Sequence, residues 1–260
     1  MEATTSVDYE WHLDNVKVRD GRYGPICSGL NQSTHKLLAV EVIEQGRDLQ
    51  TSSILISHLG LVQHRTTSME PHPSIVTFLG FQQKTEGLCL LWEWEGGETL
   101  QQHIQEHGAM DHDVVGIYLR RLSVGIEALQ DRGFITNFVT SARILLASGM
   151  TVKIEPPIID LAVAGFAAIP PGVLTVPELI RDGPLPNNMP KVDVWLLGIV
   201  AAEALSGVLL TDDSARRIRA QLEEKEGQES GSAWELFVPR DVAEKLDAPA
   251  LDFLRQCFML

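Results

Sequence analysis

The period of the hydrophobic pattern changes about a third of the way along the chain. Up to residue 94 the apolar positions fall in short β-type runs. Residues 16–18, 26–30 and 37–43 are such runs, separated by turn-forming segments at 20–25 and 31–36. One stretch differs: over 50–64, Ile54, Leu55, Leu59 and Val62 recur at close to i, i+4 spacing, which predicts a helix packed on the strands. A polar loop ending at Pro73 leads to two further strands, 75–82 and 87–94. Gly96 and Gly97 mark a break, and beyond them the pattern is mainly helical. Residues 99–107 predict a short helix, and 111–130 a long one with apolar positions at Val114, Val115, Tyr118, Leu119, Leu122, Ile126 and Leu129. A hairpin-like stretch at 143–154 precedes an irregular, Pro-rich segment reaching Pro177. Residues 193–206 are apolar almost all round and predict a buried helix, whereas 211–226 carry mixed charge and predict an exposed one.

Composition narrows the classes. The 260 residues hold 21 Lys+Arg against 35 Asp+Glu, a formal net charge of −14, with 44% hydrophobic residues, which suits a globular chain with a full core. A surface this acidic repels phosphate backbones and argues against nucleic acid as a partner. The most apolar stretch, 192–210, is interrupted by Asp193 and Glu203, and the first thirty residues have no apolar signal core, so neither a membrane span nor a secretory signal is expected. Cytoplasmic residence follows as the expectation. Cys27, Cys89 and Cys257 have no C-x-x-C spacing, so neither a disulfide framework nor a zinc site is indicated.

Several motifs appear in a telling order. His72-Pro73-Ser74-Ile75-Val76 is followed by Leu79-Gly80-Phe81, then by Val176-Pro177-Glu178, and then by 190–198, PKVDVWLLG. These resemble, respectively, the H-P-N-I-V start of a fourth strand, the A-P-E triplet and the D-x-W-x-x-G helix of protein kinases. With five strands, one helix, a Gly-Gly hinge and a helical remainder, the chain resembles a protein kinase domain over nearly its whole length. The resemblance implies an α+β, bilobal fold: a small five-stranded sheet plus one helix over 1–94, and a mainly helical lobe over 95–260, hinged at about 93–97. It also implies a domain cut from a longer protein.

In kinases phosphoryl transfer uses a lysine on the α/β-phosphates, a glutamate holding it, an aspartate orienting the hydroxyl, and an asparagine and an aspartate for magnesium. V-A-I-K aligns with 38–41, LAVE, so Glu41 stands at the lysine position. At about 4 Å and an effective dielectric near 20, reversing one charge turns roughly 4 kcal/mol of attraction into comparable repulsion. No acidic residue lies between 49 and 69 to supply the glutamate. His, Arg and Asp of the catalytic loop become Thr136, Asn137 and Phe138, its lysine becomes Thr140, and the metal asparagine becomes Arg143. Phenylalanine accepts no proton and arginine repels a cation. D-F-G falls on Pro156-Pro157-Ile158, with Glu155 and Asp160 as neighbouring carboxylates. Arg19, Gly21 and Gly24 occupy the three glycine-loop positions, a pattern that a plain hairpin also produces. Trp92 aligns with the residue limiting depth behind the adenine, where an indole fills the cavity, and it also suits an ordinary core position.

Architectural positions are kept. Glu178 and Arg255 align with the acid and arginine that pair in kinases, and Asp193 with the residue bracing the catalytic loop. This combination resembles a catalytically inactive kinase-like domain, with no catalytic residue, cofactor or metal. Such a domain regulates or docks an active protein kinase by a population shift, in the same chain or in trans, with a second copy of itself as another candidate partner. Among kinase families the chain is most similar to the degenerate domain of the fungal general-control kinases of amino-acid starvation, which implies translation control under nutrient stress. Two rivals are a cleft binding another small ligand, and a rearranged nucleotide-dependent enzyme recruiting Glu41, Glu155 or Asp160. His103 and His107 have i, i+4 spacing without an H-E-x-x-H acid, and read as solvent-facing or capping residues. Within 156–178 the one hydroxyl is Thr175, which argues against control by phosphorylation of that segment.

Overall fold

Five antiparallel strands form the first sheet: β1 (Trp11–Asp20), β2 (Pro25–Asn31), β3 (Leu37–Glu44), β4 (Phe78–Gln83) and β5 (Gly87–Glu93). Their order is β1-β2-β3-β5-β4, so the long connection after β3 carries β4 to the far edge. This computed structural model describes residues 7–21, 23–44, 59–60, 63, 70–85, 87–134, 139–157, 171–181, 189–224 and 233–259. The chain divides by its contacts into two units, 1–96 with 156–168, and 97–155 with 169–260. The mixed α+β architecture of a sheet-based and a helical unit is the one the motifs imply. Of the helix expected over 50–64, only 59, 60 and 63 are described, and these are helical.

Alternation of side chains sets the register of the first unit. Trp11, Leu38, Val40, Val42, Cys89 and Leu91 gather into one buried cluster on a face of the sheet. β3 and β5 are the central pair, with Val40 opposite Leu91 and Glu41 opposite Leu90. β1 begins earlier than its apolar run suggests, because Trp11 is only 4% exposed and donates its indole N–H to Gln82 Oε1 at 2.7 Å. Lys84 Nζ sits 3.5 Å from the Trp11 ring centroid. β4 starts at Phe78 rather than at residue 75, since the Ile75 N–H is already turned back onto the His72 carbonyl.

The second unit opens on β6 (Glu98–Thr99), then α1 (Leu100–His107) and α2 (His112–Asp131). β7 (Ile144–Ala147) and β8 (Thr151–Ile154) make the expected hairpin, and β6 pairs with β7 in a three-stranded sheet. Gly97, at φ +128°, packs so closely on the Leu146 carbonyl that a β-carbon would clash there. After a 3-10 turn at Pro171–Thr175 come α3 (Pro177–Arg181), α4 (Met189–Ser206), α5 (Asp212–Glu224), α6 (Arg240–Ala243) and α7 (Ala248–Cys257). α4 is the axis of this unit: Val192, Leu196, Val200 and Ala201 are all but inaccessible, and α2 and α7 pack against it.

Candidate functional site

The β1–β2 turn is built from Gly21 to Gly24, closed by a Gly21 N–H to Gly24 carbonyl bond of 2.9 Å. Gly24 lies against the Val42 carbonyl and Gly21 against the Glu41 carboxylate, so neither position has room for a side chain. Glu41, only 3% exposed, lies beneath this turn, and its Oε1 accepts the Tyr23 backbone N–H at 2.6 Å. A short bond thus ties the residue expected at the lysine position to the turn. An amide of the kind that would face phosphates is taken by an internal carboxyl group. Tyr23 as the partner was not readable from the sequence, because the bond is made by its main chain.

Trp92 is buried in the β4–β5 pair, opposite both Phe78 and Ala39, with its ring 5.0 Å from that of Phe78 and tilted 59°. Its indole is therefore a core aromatic of the first sheet. Thr136, Asn137 and Phe138 lie outside the described residues, as does Asp160. Arg143 is buried at the end of the 3-10 turn Ser141–Arg143, and its carbonyl accepts the Glu155 N–H at 3.0 Å. Glu155 and Pro156 are buried as well. Of the two residues expected at the metal positions, neither Arg143 nor Pro156 has an oxygen in its side chain, whereas Glu155 beside them carries a carboxyl group.

Around α4 the framework motif becomes physical. Asp193, 2% exposed, accepts from Gln130 Nε2 of α2 at 2.6 Å. Trp195 donates its indole N–H to Thr175 Oγ1 at 3.1 Å, and the Thr175 hydroxyl donates to the Gly172 carbonyl at 2.7 Å. The Trp195 ring meets Phe237 and Phe258 edge-on, at 5.7 and 5.0 Å, and those two rings stack at 4.3 Å. Gly198 completes the motif, since a β-carbon there would stand 2.6 Å from the Cys257 β-carbon. Burial pushes the Cys257 thiol up to about 12, so it acts as a packing group. Thr175 is fully buried and engaged in this network. Glu178 is half-buried on α3, and Arg255 is exposed on α7 with its guanidinium 5.9 Å from the Trp234 ring centroid.

One buried acid carried no signal in the sequence. Glu203 on α4 accepts the Leu210 N–H at 2.8 Å. Burial raises its carboxyl from the ordinary 4.5 to about 7, although the Leu210 and Ser141 hydrogen bonds pull the other way.

A five-stranded antiparallel sheet in one unit and a helical unit organised on D-x-W-x-x-G are together the architecture of a protein kinase. The protein kinase domain model matches residues 14–260, and the chain belongs to that family. It is 24% identical to the MAP kinase kinase kinase wis4 of Schizosaccharomyces pombe, over 98% of this chain and 18% of that protein. It is 23% identical to human mitogen-activated protein kinase kinase kinase 4, over 77% of this chain and 13% of that one. It is 22% identical to the MAP kinase kinase kinase mkh1 of Schizosaccharomyces pombe, over 98% of this chain and 23% of that protein. The chain thus spans less than a quarter of each of these relatives. The crystal structure of Rad53 1-466 in complex with AMP-PNP superposes with a TM-score of 0.68 at 19% identity, covering 95% of this chain and 60% of that one, which speaks for the fold.

These findings correct the functional expectation. A non-enzymatic regulator, with a small-ligand cleft as its rival, was inferred from the residues at Glu41, 136–138, Arg143 and Pro156, and a role in translation control from the resemblance to the general-control kinases. The family match is to the protein kinase domain and the relatives reported above are named MAP kinase kinase kinases, which supports neither inactivity nor a general-control kinase. The expectation failed because a few side chains at chemical positions were taken as decisive for activity. No helix among the described residues is long and apolar enough to cross a membrane.

Proposed function

We propose that this chain is the kinase domain of a MAP-kinase-kinase-kinase-like protein, which transfers phosphate from ATP to hydroxyl groups on another protein kinase in the cytoplasm. The observation that carries this reading is the match of the protein kinase domain over 14–260, with MAP kinase kinase kinases among its relatives. The α4 framework supports it: Asp193, Trp195 and Gly198 each make the contact that gives the motif its shape. The partner kinase stands in the same polypeptide or in a separate one. Near the D-F-G position the chain's own acids are Glu155, buried after β8, and Asp160. The test is transfer of labelled phosphate from ATP, with magnesium or manganese, to a catalytically disabled MAP kinase kinase. Label on the substrate that falls about tenfold or more in Asp160→Ala is the expected result. If an unrelated active kinase labels the substrate and this chain leaves it at the no-enzyme level with either metal, the reading fails.

A further inference from the structure

The helix that opens the second unit carries two imidazoles on one face. His103 and His107 are one turn apart on α1, with ring centroids 4.7 Å apart and planes inclined by 55°. Sequence spacing gives this pair but no acid to go with it. The fold supplies one from the preceding strand: Glu98 Oε1 lies 2.7 Å from His103 Nδ1.

The approach is set by the helix start. Thr99 caps α1 through a reciprocal pair, its hydroxyl accepting the Gln102 N–H at 3.1 Å while Gln102 Oε1 accepts the Thr99 N–H at 2.9 Å. β6 is in turn held on β7, with Glu98 opposite Leu146. The carboxylate is therefore fixed over the first turn, where His103 emerges. One donor atom from each of Glu98, His103 and His107 lies within 4.8 Å of the others. Ligand atoms around a tetrahedral zinc ion, at bonds of about 2.0–2.1 Å, are about 3.3 Å apart, which small side-chain rotations reach.

We propose that Glu98, His103 and His107 form a binding site for a divalent transition-metal ion of the zinc type, with water completing the coordination. Two neutral imidazoles and a carboxylate make a donor set suited to zinc, and too rich in nitrogen for calcium or magnesium. His103 is 28% exposed and Glu98 34%, while His107 is exposed, so an ion can enter and retain water. Bound metal would clamp the β6–α1 corner independently of phosphotransfer.

The experiment uses the whole chain, stripped with EDTA and titrated with zinc chloride while the thermal midpoint is followed. Visible absorption of the cobalt(II) form reports the coordination. At about pH 7.5 zinc is expected to raise the midpoint saturably. His107→Ala, an exposed position whose loss spares the fold, and Glu98→Gln are each expected to weaken binding about tenfold or more. The cobalt(II) form should show the intense bands of a low-symmetry site. An unshifted wild type, or a wild-type response in the His103→Ala/His107→Ala double variant, would overturn the proposal.

Discussion

Glu41 shows how a side chain at a chemical position is fixed by its neighbours. Its carboxylate is buried, yet it accepts the Tyr23 N–H at 2.6 Å, and that bond also holds down a turn whose glycines admit no β-carbon. Removing the acceptor with Glu41→Ala takes away this bond to the Tyr23 amide and is expected to cost about 1–3 kcal/mol in urea unfolding, whereas Glu41→Gln, which keeps an acceptor oxygen, should cost less. Equal losses would mean that the amide bond is not what counts. At Glu203 burial raises the pKa to about 7, and the folded protein favours the protonated acid. The proton is bound more tightly folded than unfolded, so this contribution is complete below about pH 4.5 and is lost as pH climbs to about 7. A shift of that size corresponds to about 3 kcal/mol, and Glu203→Gln is expected to flatten the loss between those pH values, measured as denaturant midpoint against pH. Neither feature could be read from the sequence beyond residue type. The Glu41 bond joins positions 18 apart through a main-chain amide, and Glu203 reads as a polar interruption of an apolar helix until its burial is known.

Among elements, α4 was the most legible and also explains the most. Its apolar run predicted a buried helix, and the D-x-W-x-x-G letters correspond to three contacts: Asp193 with Gln130, Trp195 with Thr175, and Gly198 with the end of α7. Gly198→Ala would push a methyl group to 2.6 Å from the Cys257 β-carbon and into the Phe258 ring, so α4 and α7 must separate. A loss of about 1–3 kcal/mol is expected from chemical denaturation, with the opposite sign from an exposed Gly→Ala change, which stabilises a helix. An unchanged midpoint would show that the helices part freely. Less legible elements had weaker local signals. β1 starts within residues 10–15, where Trp11 and Leu13 alternate with polar residues, and pairing with β2 together with the buried Trp11 ring makes it a strand. α7 did carry a readable start in Asp247 and Pro249, for Asp247 accepts the Ala250 N–H at 2.9 Å and the proline sits in the first turn. β6 has only two residues, too few for any periodicity, yet it places Glu98 beside His103.

For the whole molecule, the fold was legible because its signals are redundant. Strand alternation, the buried helix and the framework motif all point to one architecture, and no single substitution erases it. The chemistry is not redundant: each catalytic position is one side chain, and inferring inactivity from several of them misjudged a chain whose relatives are MAP kinase kinase kinases. Charge is the property that belongs to the molecule as a whole. With −14 spread over 260 residues, folding draws like charges together and self-repulsion opposes the compact state. Local ion pairs offset this little. Lys17 with Asp20, Arg216 with Asp213, Arg219 with Glu223 and Arg240 with Glu244 are short-range, exposed pairs, each worth well under about 1 kcal/mol. Sodium chloride shortens the screening length from about 30 Å at 0.01 M to about 10 Å at 0.1 M, which weakens long-range repulsion more than contact pairs. The thermal midpoint is therefore expected to rise with salt over that range and then to level off. A midpoint that falls instead would mean that close pairs, rather than the net charge, dominate the electrostatics of this chain.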